Sequence, residues 1–540
     1  MNPLPSATMP GELTVAGILR HQAHSRGDHP LLVCDAEHIS YAEADRRSAE
    51  LARGLIAHGG GKGTHVGLLY PNGPEFVVGM LAAARIGALV IPFSTFVTAR
   101  ELREQLVDSD VQILLSAGSF RSHDYVDRLA QLIDADFDSD QRLFATAVPQ
   151  LRHVGISYGS DTRRRIRDIE RFYRLATTVG PALLAAMQDD VDGSDRLTIV
   201  YTSGSASTPK GVVHTHAALL GHQQNLNKIR GLTAADKLFC NSPFFWIGGF
   251  GFGLLATLIA GSTLVCSNAS DAGETLDLLE AEKPTMTNGF AAAIAHLANH
   301  PSFTERDLCS MRRGNLYSIM PPGARPADPE LRHNMLGMTE AGSVVLISDD
   351  ESDQPEERRG SFGKPAPGFQ TKIIDPDTGG IVGVGQIGEL CIRGPYLMQR
   401  YYKRTREECF DADGWFHTGD LVRADADGFM YFIGRLSAMI KTAGANVSAT
   451  EVEKAIAKVT GGMAAYVVGI PDAQRGHVVA AVVVVPDPAT FDEGALRERL
   501  KDELSAYKIP RRFAVLPRTE IPLLSSGKVD TQQLRKLFDA

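Results

Sequence analysis

Apolar and polar segments alternate along the first three-quarters of the chain with the lengths expected of strands and helices. Residues 65–70 form a short apolar run, 74–85 follow a helical pattern and 88–92 form a second apolar run. Two strands joined through a helix make a βαβ unit, in which the strands are parallel and helices cover the sheet. This part of the sequence therefore predicts an α/β fold.

The pattern changes character at residues 434–441, beyond which helices and strands follow one another closely. The predicted elements are a helix over 448–459, strands over 464–469 and 478–485, and a helix over 492–504. About 100 residues of this mixed pattern suffice for a domain. We therefore place a boundary at Ser437, between a large N-terminal domain of helix-covered sheets (1–436) and a small α+β domain (437–540).

Residues 241–270 carry no charge, and 250–266 are apolar enough to resemble a membrane span. Glycines crowd this stretch, however, and Ser262 breaks it. A buried helix is the better prediction, since glycine allows a ligand or a backbone segment to approach closely.

The chain of 540 residues is 44% hydrophobic and carries a formal net charge of −9. This balance argues against nucleic acid as the main partner, because a basic patch or stripe usually marks such proteins. The 6 cysteines lie far apart without a CxxC pair, which is typical of neither a disulfide scaffold nor a zinc site. Residues 1–10 lack the basic start and apolar centre of a signal peptide. We therefore expect a cytoplasmic protein with free thiols and no transmembrane segment.

An apolar strand at 197–201 runs into a loop of small and hydroxyl-bearing residues that ends in Lys210 and Gly211. Backbone N–H groups, hydroxyls and a lysine together suit a polyphosphate, and a helix is predicted to begin near Thr215. An ordinary Ser/Gly-rich surface loop is the alternative that composition alone allows. The loop is not a Walker A motif, because Gly211 follows Lys210. Its other members are Thr202, Ser203, Gly204, Ser205, Ala206, Ser207, Thr208 and Pro209.

Four further segments follow in order: Gly-Met-Thr-Glu at 337–340, Gly-Trp-Phe-His-Thr-Gly-Asp-Leu at 414–421, a Gly-Arg pair opening 434–451, and 522–530 around a Gly-Lys pair. With the loop, they resemble the signature segments of the adenylate-forming superfamily, which includes acyl-CoA synthetases, coumarate-type CoA ligases, luciferases and adenylation domains of peptide synthetases. The resemblance covers nearly the whole chain. It implies an enzyme that uses ATP to convert a carboxylic acid into an acyl-adenylate.

The resemblance also implies roles for single residues. Lys528 would be the catalytic lysine of the adenylation step, and Thr339 would contact the α-phosphate region. Glu340 would help to hold Mg²⁺, with Thr202 as a further candidate ligand, since magnesium favours carboxylate and phosphate oxygens.

Asp420 would accept hydrogen bonds from both ribose hydroxyls, because one carboxylate offers two acceptor oxygens. Arg435 would reach the ribose or a phosphate. The remaining residues predicted to bind ATP or AMP are the loop residues 202–208, Lys210, Gly323, Ala324, Leu336, Gly337 and Met338.

For the second step the resemblance implies coenzyme A as the acyl acceptor and a mobile small domain. That domain would rotate about Ser437, withdraw Lys528 and bring Lys441 and Gly444 to the site. ATP, Mg²⁺ and CoA are thus the expected co-substrates.

Several positions depart from the superfamily pattern. Leu336 stands where relatives usually place an aromatic that stacks on adenine, and Trp246 stands where coumarate-type ligases usually have histidine. Ser437 and Ala438 replace charged hinge residues. Trp246, Gly249 and Phe250 are predicted to line the acid pocket.

The interval from Gly323 to Gly337 is shorter than the superfamily leads one to expect. It normally supplies one wall of the acid pocket, so its loss would admit a bulky, branched or ring-bearing acid. A tolerated loop deletion is the alternative.

Three functions therefore stay open at this point. The first is an acid–thiol ligase that makes acyl-CoA from a fatty, branched or ring-bearing acid. The second is a ligase that loads a separate carrier protein, and the third is a non-catalytic nucleotide or acyl binder. A homodimer is compatible with each.

Overall fold

The computed structural model describes residues 13–133, 137, 141–159, 166–202, 210–436, 439–442, 445–472, 476–486, 491–504, 506, 508–524 and 528–539. Several predicted site residues lie outside this description: Ser203, Gly204, Ser205, Ala206, Ser207, Thr208, Ser437, Gly444 and the side chain of Lys441.

Helices cover both domains. In chain order, α1–α14 of the described residues are Val15–Arg26, Tyr41–Ala57, Pro74–Ala84, Ala99–Asp108, Tyr125–Ile133, Glu170–Ala176, Pro181–Asp189, His216–Arg230, Ala256–Ala260, Ala272–Glu282, Ala291–Ala298, Ala449–Thr460, Glu493–Leu500 and Thr531–Lys536. A π-helix covers Gly248–Leu255 and runs directly into α9. Short 3₁₀ turns cover Phe303–Glu305, Tyr317–Ile319, Pro322–Ala324, Pro329–Leu331, Thr339–Ala341, Glu356–Arg358 and Arg518–Glu520.

The strands of the same residues are, from β1 to β27, Pro30–Cys34, Glu37–Ser40, His65–Leu69, Leu89–Pro92, Ile113–Ala117, Ser119–Phe120, His123–Asp124, His153–Ser157, Arg196–Tyr201, Gly211–Thr215, Lys237–Cys240, Thr263–Cys266, Met286–Asn288, Arg313–Gly314, Leu336–Met338, Ser343–Ile347, Lys364–Pro365, Gln370–Ile374, Gly388–Arg393, Arg400–Tyr401, Phe416–Ala424, Met430–Arg435, Met439–Thr442, Ala445–Ser448, Ala465–Asp472, Gly476–Val484 and Arg512–Leu516.

Two sheets form the frame of the large domain. One has six strands in the order β14-β13-β11-β12-β1-β2, and the other has seven in the order β20-β10-β9-β4-β3-β5-β8. The predicted βαβ unit is present, because β3 and β4 pair in parallel and α3 connects them. The predicted α/β class is therefore confirmed.

The main core lies between these two sheets around α3. This helix is apolar on every side except at Glu75, as expected of a helix buried all round. Its residues pack with Leu32 and Leu264 of the six-stranded sheet and with Val66 and Val90 of the seven-stranded sheet. Helix α3 thus joins the two sheets into one body.

The uncharged stretch 241–270 is buried, as predicted, and it does not form one long helix. The π-helix and α9 end at Gly261, which adopts a left-handed conformation with φ of 71°, and β12 follows. Among the helices described for this chain, none has both the length and the apolarity needed to cross a membrane.

The helix predicted to begin near Thr215 is confirmed, because α8 starts at His216 and is capped by the Thr215 hydroxyl. The strand that precedes it was not predicted. Strand β10 pairs antiparallel with β9, with Gly211 opposite Tyr201, so the two strands form a β-hairpin. The β-branched Val212 and Val213 favour an extended backbone here.

The small domain has the predicted mixture of elements. Its sheet runs β24-β23-β26-β25, with β27 paired to β26, and α12 and α13 pack on it. The last predicted helix is shorter than expected, since α13 ends at Leu500 and the N–H groups of Lys501 and Glu503 donate to carbonyl oxygens three residues back instead of four.

Tyr41 provides a test of how the large domain is held together. Its buried hydroxyl donates to the carbonyl oxygens of Ser262 (2.8 Å) and Thr257 (3.2 Å). Tyr41→Phe should lower the free energy of unfolding by about 1–3 kcal/mol, since it leaves buried acceptors without a donor. Urea denaturation followed by circular dichroism would measure the change. Tyr317→Phe is the control, because no described residue bonds the Tyr317 hydroxyl, and an equal loss in both variants would contradict the prediction.

Candidate active site

A cavity of about 1670 Å³ opens between the ends of the large-domain strands and the small domain. It brings together nine of the predicted site residues: Thr202, Lys210, Trp246, Gly337, Met338, Thr339, Glu340, Arg435 and Lys528. Residues more than 300 positions apart in the sequence thus share one cavity.

Four described residues predicted to bind nucleotide are absent from the lining of this cavity: Gly323, Ala324, Leu336 and Asp420. Gly323 and Ala324 lie on a 3₁₀ turn outside its walls. Leu336 begins β15 and packs into the core, whereas its neighbour Met335 faces the cavity. Alternation of side chains along an extended backbone explains this difference.

Two residues predicted for the acid pocket lie behind its wall. Phe250 is fully buried and packs edge-on against Phe76, with ring centroids 6.3 Å apart. A side chain at Gly249 would meet the carbonyl oxygen of Pro243 at 2.1 Å. The residues of the π-helix that line the cavity are Gly248 and Phe252.

Glu340 has one oxygen held by the protein. The Tyr401 hydroxyl donates to Glu340 Oε1 at 2.6 Å, and Lys210 Nζ lies 5.0 Å from the centroid of the same Tyr401 ring. Burial and the Glu340 carboxylate both raise the pKa of Tyr401, so its hydroxyl keeps its proton. One carboxylate oxygen and one ammonium group therefore remain for a metal ion and phosphates.

Two hydrogen bonds to backbone carbonyls fix the Thr339–Ala341 turn that carries Glu340. Nε2 of the buried His214 donates to the carbonyl oxygen of Thr339 at 2.7 Å, and the N–H of Met398 donates to that of Glu340 at 2.8 Å. Burial lowers the pKa of His214 to about 4, so this histidine is neutral at physiological pH.

Asp420 lies within β21, not in a turn, directly opposite Arg435 of β22. Arg435 Nε is 2.7 Å from Asp420 Oδ1, but the approach is not aligned for a hydrogen bond. Both oxygens are buried without a hydrogen-bond partner among the described residues. Burial raises the pKa of Asp420 to about 6, against the opposing effect of Arg435. A carboxylate in this condition suits a ligand with two hydroxyl donors.

Glu389 was not anticipated from the sequence, and it holds the strand before Asp420 in place. Its Oε1 accepts from the N–H of Gly419 at 3.0 Å, and its Oε2 lies 3.0 Å from His417 Nδ1. Gly419 has φ of 69°, a conformation that suits glycine. Glu389 thus supports the part of strand β21 that carries Asp420.

Lys528 reaches the cavity from a tight connection in the small domain. The N–H of Leu524 donates to the carbonyl oxygen of Lys528 at 2.7 Å, and Leu523 bridges to Val529. Partial loss of hydration lowers the pKa of Lys528, and the nearby positive charge of Arg435 lowers it further. Lys210 lines the same cavity, so Lys210, Arg435 and Lys528 all contribute positive charge to the space available to an anionic ligand.

Aromatic rings form the other wall. The Trp246 ring lies 5.5 Å from that of Phe245 and 5.3 Å from that of Phe290, and Phe245 lies 5.8 Å from Phe96. Asn241 holds the backbone of Phe290 by accepting from its N–H at 2.9 Å and donating to its carbonyl at 3.1 Å. One side of the cavity is thus cationic and the other is aromatic.

Comparison with known proteins matches residues 19–402 to the AMP-binding enzyme family and 451–528 to the C-terminal domain of AMP-binding enzymes. A feruloyl-CoA synthase of Amycolatopsis sp is 30% identical over 510 residues, which cover 93% of this chain and 94% of that one. A propanoyl:CoA ligase of Mycobacterium tuberculosis, whose acyl group carries a methyl-dioxo-octahydroindenyl ring system, is 29% identical over 542 residues, which cover 97% and 99%. The crystal structure of ATP-bound MatB from Rhodopseudomonas palustris superposes with a TM-score of 0.80 at 25% identity, covering 97% and 99% of the two chains.

The fold, the cavity and these matches define an enzyme that activates acids with ATP. The chain belongs to the AMP-binding enzyme family. Within it, the protein is an ATP-dependent, AMP-forming acid–thiol ligase of the acyl-CoA synthetase type.

Asp420 leads to a prediction about pH. Its raised pKa means that it is ionised above about pH 6 and protonated below, and only the ionised group offers both oxygens to ribose hydroxyls. The dissociation constant for ATP should therefore rise as the pH falls from about 7 to about 5. Calorimetric titration would measure it. In the Asp420→Asn variant, ATP should bind more weakly at pH 7, and its dissociation constant should hardly change with pH. A pH dependence as steep as that of the wild type would contradict the assignment.

Lys528 leads to a prediction about the two half-reactions. Lys528→Ala should abolish formation of acyl-adenylate from acid and ATP, because the charge between carboxylate and α-phosphate is no longer neutralised. Formation of thioester from supplied acyl-adenylate should persist. The exposed Lys536 of α14 gives the control, Lys536→Ala, which should affect neither step. Equal losses in both half-reactions of Lys528→Ala would show that Lys528 does not act in adenylation alone.

Proposed function

We propose that this enzyme converts a bulky, ring-bearing or branched carboxylic acid into its acyl-adenylate and then into the acyl-CoA. The observation that carries the proposal is the shared cavity. It joins the cationic side of Lys210, Arg435 and Lys528 to the aromatic side around Trp246. A carboxylate end and an apolar body of one substrate would find their partners on these two sides.

In the first step the acid carboxylate attacks the α-phosphate of ATP and pyrophosphate leaves. Lys528 would lie between the two reacting anions, and Asp420 would orient the ribose. No covalent bond to the enzyme is needed, so alignment and charge stabilisation supply the rate enhancement.

The donors present fit a magnesium ion. Glu340 Oε2 and the Thr202 hydroxyl would hold Mg²⁺, which prefers one or two protein oxygens together with substrate phosphates. A bound magnesium ion supplies charge neutralisation of the triphosphate. Tyr401 keeps the Glu340 carboxylate in place for that purpose.

In the second step the thiol of CoA attacks the acyl carbonyl and AMP leaves. We propose that the small domain rotates about Ser437 between the steps, which withdraws Lys528 and brings Lys441 and Gly444 to the cavity. The position of Lys528 in the cavity lining supports an arrangement suited to adenylation.

The choice of a bulky acid rests on size and lining. Single-ligand pockets usually have volumes of about 300–1,000 Å³, whereas this cavity must accept a nucleotide as well as an acid. Between Gly323 and Leu336 the chain forms only short turns, and Asn315 and Met335 line the cavity on that side. Relatives named for ferulate, indoleacetate and a dioxo-octahydroindenyl propanoate also point to ring-bearing acids.

A panel of acids tests the proposal, with pyrophosphate release as the measurement and with CoA or a phosphopantetheinylated carrier protein as acceptor. Ring-bearing or branched acids with CoA should give the highest kcat/KM. Trp246→Ala should broaden tolerance near the carboxylate and change the ranking of acids more than the KM for ATP. Phe144→Ala, at an exposed ring outside the cavity, is the control. A clear preference for acetate, or an unchanged ranking in Trp246→Ala, would refute the proposed substrate class.

A further inference from the structure

The π-helix beside the acid pocket is an unusual element. Such helices make up well under 1% of residues in globular proteins and are frequent at functional sites. Here Gly248 and Phe252 face the cavity, and the carbonyl of Gly251 accepts from the N–H of Ala256, five residues on. Where this bonding changes to the four-residue step of α9, a carbonyl is left without a helical donor.

Arg230, the last residue of α8, supplies a donor at that junction. Its Nη2 donates to the carbonyl oxygen of Phe252 at 2.8 Å and to Asn227 Oδ1 at 3.1 Å. Its guanidinium carbon lies 3.9 Å from the centroid of the Phe252 ring. Arg230 therefore contacts both the backbone and the ring of a residue that forms the cavity wall.

Burial of Arg230 is energetically unfavourable. The residue is 8% exposed, and no carboxylate of the described residues lies within ion-pair distance of it. Its Nε also has no hydrogen-bond partner in that part of the chain. A buried cation without an anionic partner normally destabilises a fold, so the contact of Arg230 with Phe252 calls for a reason other than stability.

A second residue of the same helical turn contacts the other side of the junction. Asn227 Nδ2 donates to the carbonyl oxygen of Ala256 at 2.8 Å, within α9. Beneath the π-helix, a side chain at Gly253 would meet Cys240 Sγ at 3.1 Å, so the segment cannot move inwards freely. On its other side Phe252 lines the cavity.

We propose that Arg230 is a positioning residue for acid selectivity: it fixes the backbone and ring of Phe252, and so sets the shape of the acid pocket without touching the substrate. This inference rests on the proposed function, since it presumes that the acid binds beside the π-helix. It assigns no role to Arg230 in binding ATP.

Arg230→Met tests the inference, because methionine has a similar length and removes both the donor and the buried charge. We expect the KM of the preferred acid to rise about tenfold, as for loss of one charge-assisted hydrogen bond. The differences in kcat/KM between acids should become smaller. The KM for ATP should stay unchanged. Arg230→Lys should recover part of the selectivity, since an ammonium group can still donate to Phe252. Lys228→Met, which removes a charge from an exposed position of the same helical turn, should behave as wild type.

A measurement independent of turnover separates this inference from the proposed function. In a Trp415→Phe background Trp246 is the single tryptophan, and acrylamide quenching of its fluorescence should increase when Arg230→Met loosens the π-helix. If no acid is turned over by the wild type, the proposed function fails, while the quenching still reports on Arg230.

Three results would overturn the inference. They are an unchanged acid ranking with unchanged quenching, a parallel rise of the KM values for acid and ATP, and equal effects of Arg230→Met and Lys228→Met. Should Arg230→Met not fold, Phe252→Leu in the native background must reproduce the change in acid ranking, or the inference falls.

Discussion

Buried polar side chains on α8 fix the two halves of the active site relative to each other. His222 and Gln223 donate to the carbonyl oxygens of Val344 and Gly342, each at 2.8 Å, next to the turn that carries Glu340. One turn further on Asn227 donates to α9, and two turns further on Arg230 donates to the π-helix. A buried carbonyl that loses its donor costs about 1–3 kcal/mol. Movement of the nucleotide side against the acid side would break several such bonds together, so α8 makes them one rigid frame.

Inside this frame two charged groups, Asp420 and Lys528, are partly removed from water. Burial raises the pKa of Asp420 and lowers that of Lys528, so it opposes the charged form of both. Ribose hydroxyls would stabilise the carboxylate, and phosphates would stabilise the ammonium group. Binding of ATP is therefore coupled to the ionisation of the residues that bind it. The ligand would thus restore the electrostatic stabilisation that burial removes from these two groups.

The sequence allows the α/β class, the small domain and most of the cationic side to be predicted, because strand and helix periods and short motifs are local properties. Strand β10 was missed because five residues are too few to distinguish an extended segment from the start of α8. Leu336 was predicted to face the nucleotide, whereas its side chain packs into the core. The direction of this side chain depends on how the three-residue strand β15 pairs with β16, which the sequence does not reveal. Phe245 and Phe290 carry no signal of their own, since a ring in an apolar segment normally belongs to the core. Their role emerges only from the way Asn241 joins the ends of two neighbouring strands.

Under the proposed function, the short connection from Gly323 to Leu336 bears on where acid selectivity resides. Arg332 pairs with Asp353 at 2.5 Å and Arg359 with Asp328 at 2.7 Å, and all four side chains are partly exposed to solvent. Exposed ion pairs contribute little to rigidity, so this connection, which reaches the cavity lining only near Met335 among the described residues, is loosely held. The backbone after β13 is firmly held, because side-chain amides bond both the N–H and the carbonyl of Gly289 and of Phe290. Under the proposed function, an acid that extends towards the loosely held connection would meet little resistance, whereas its shape near the carboxylate would be checked by aromatic rings on fixed backbone. Discrimination between acids would therefore fall to the rings and to the π-helix beside them.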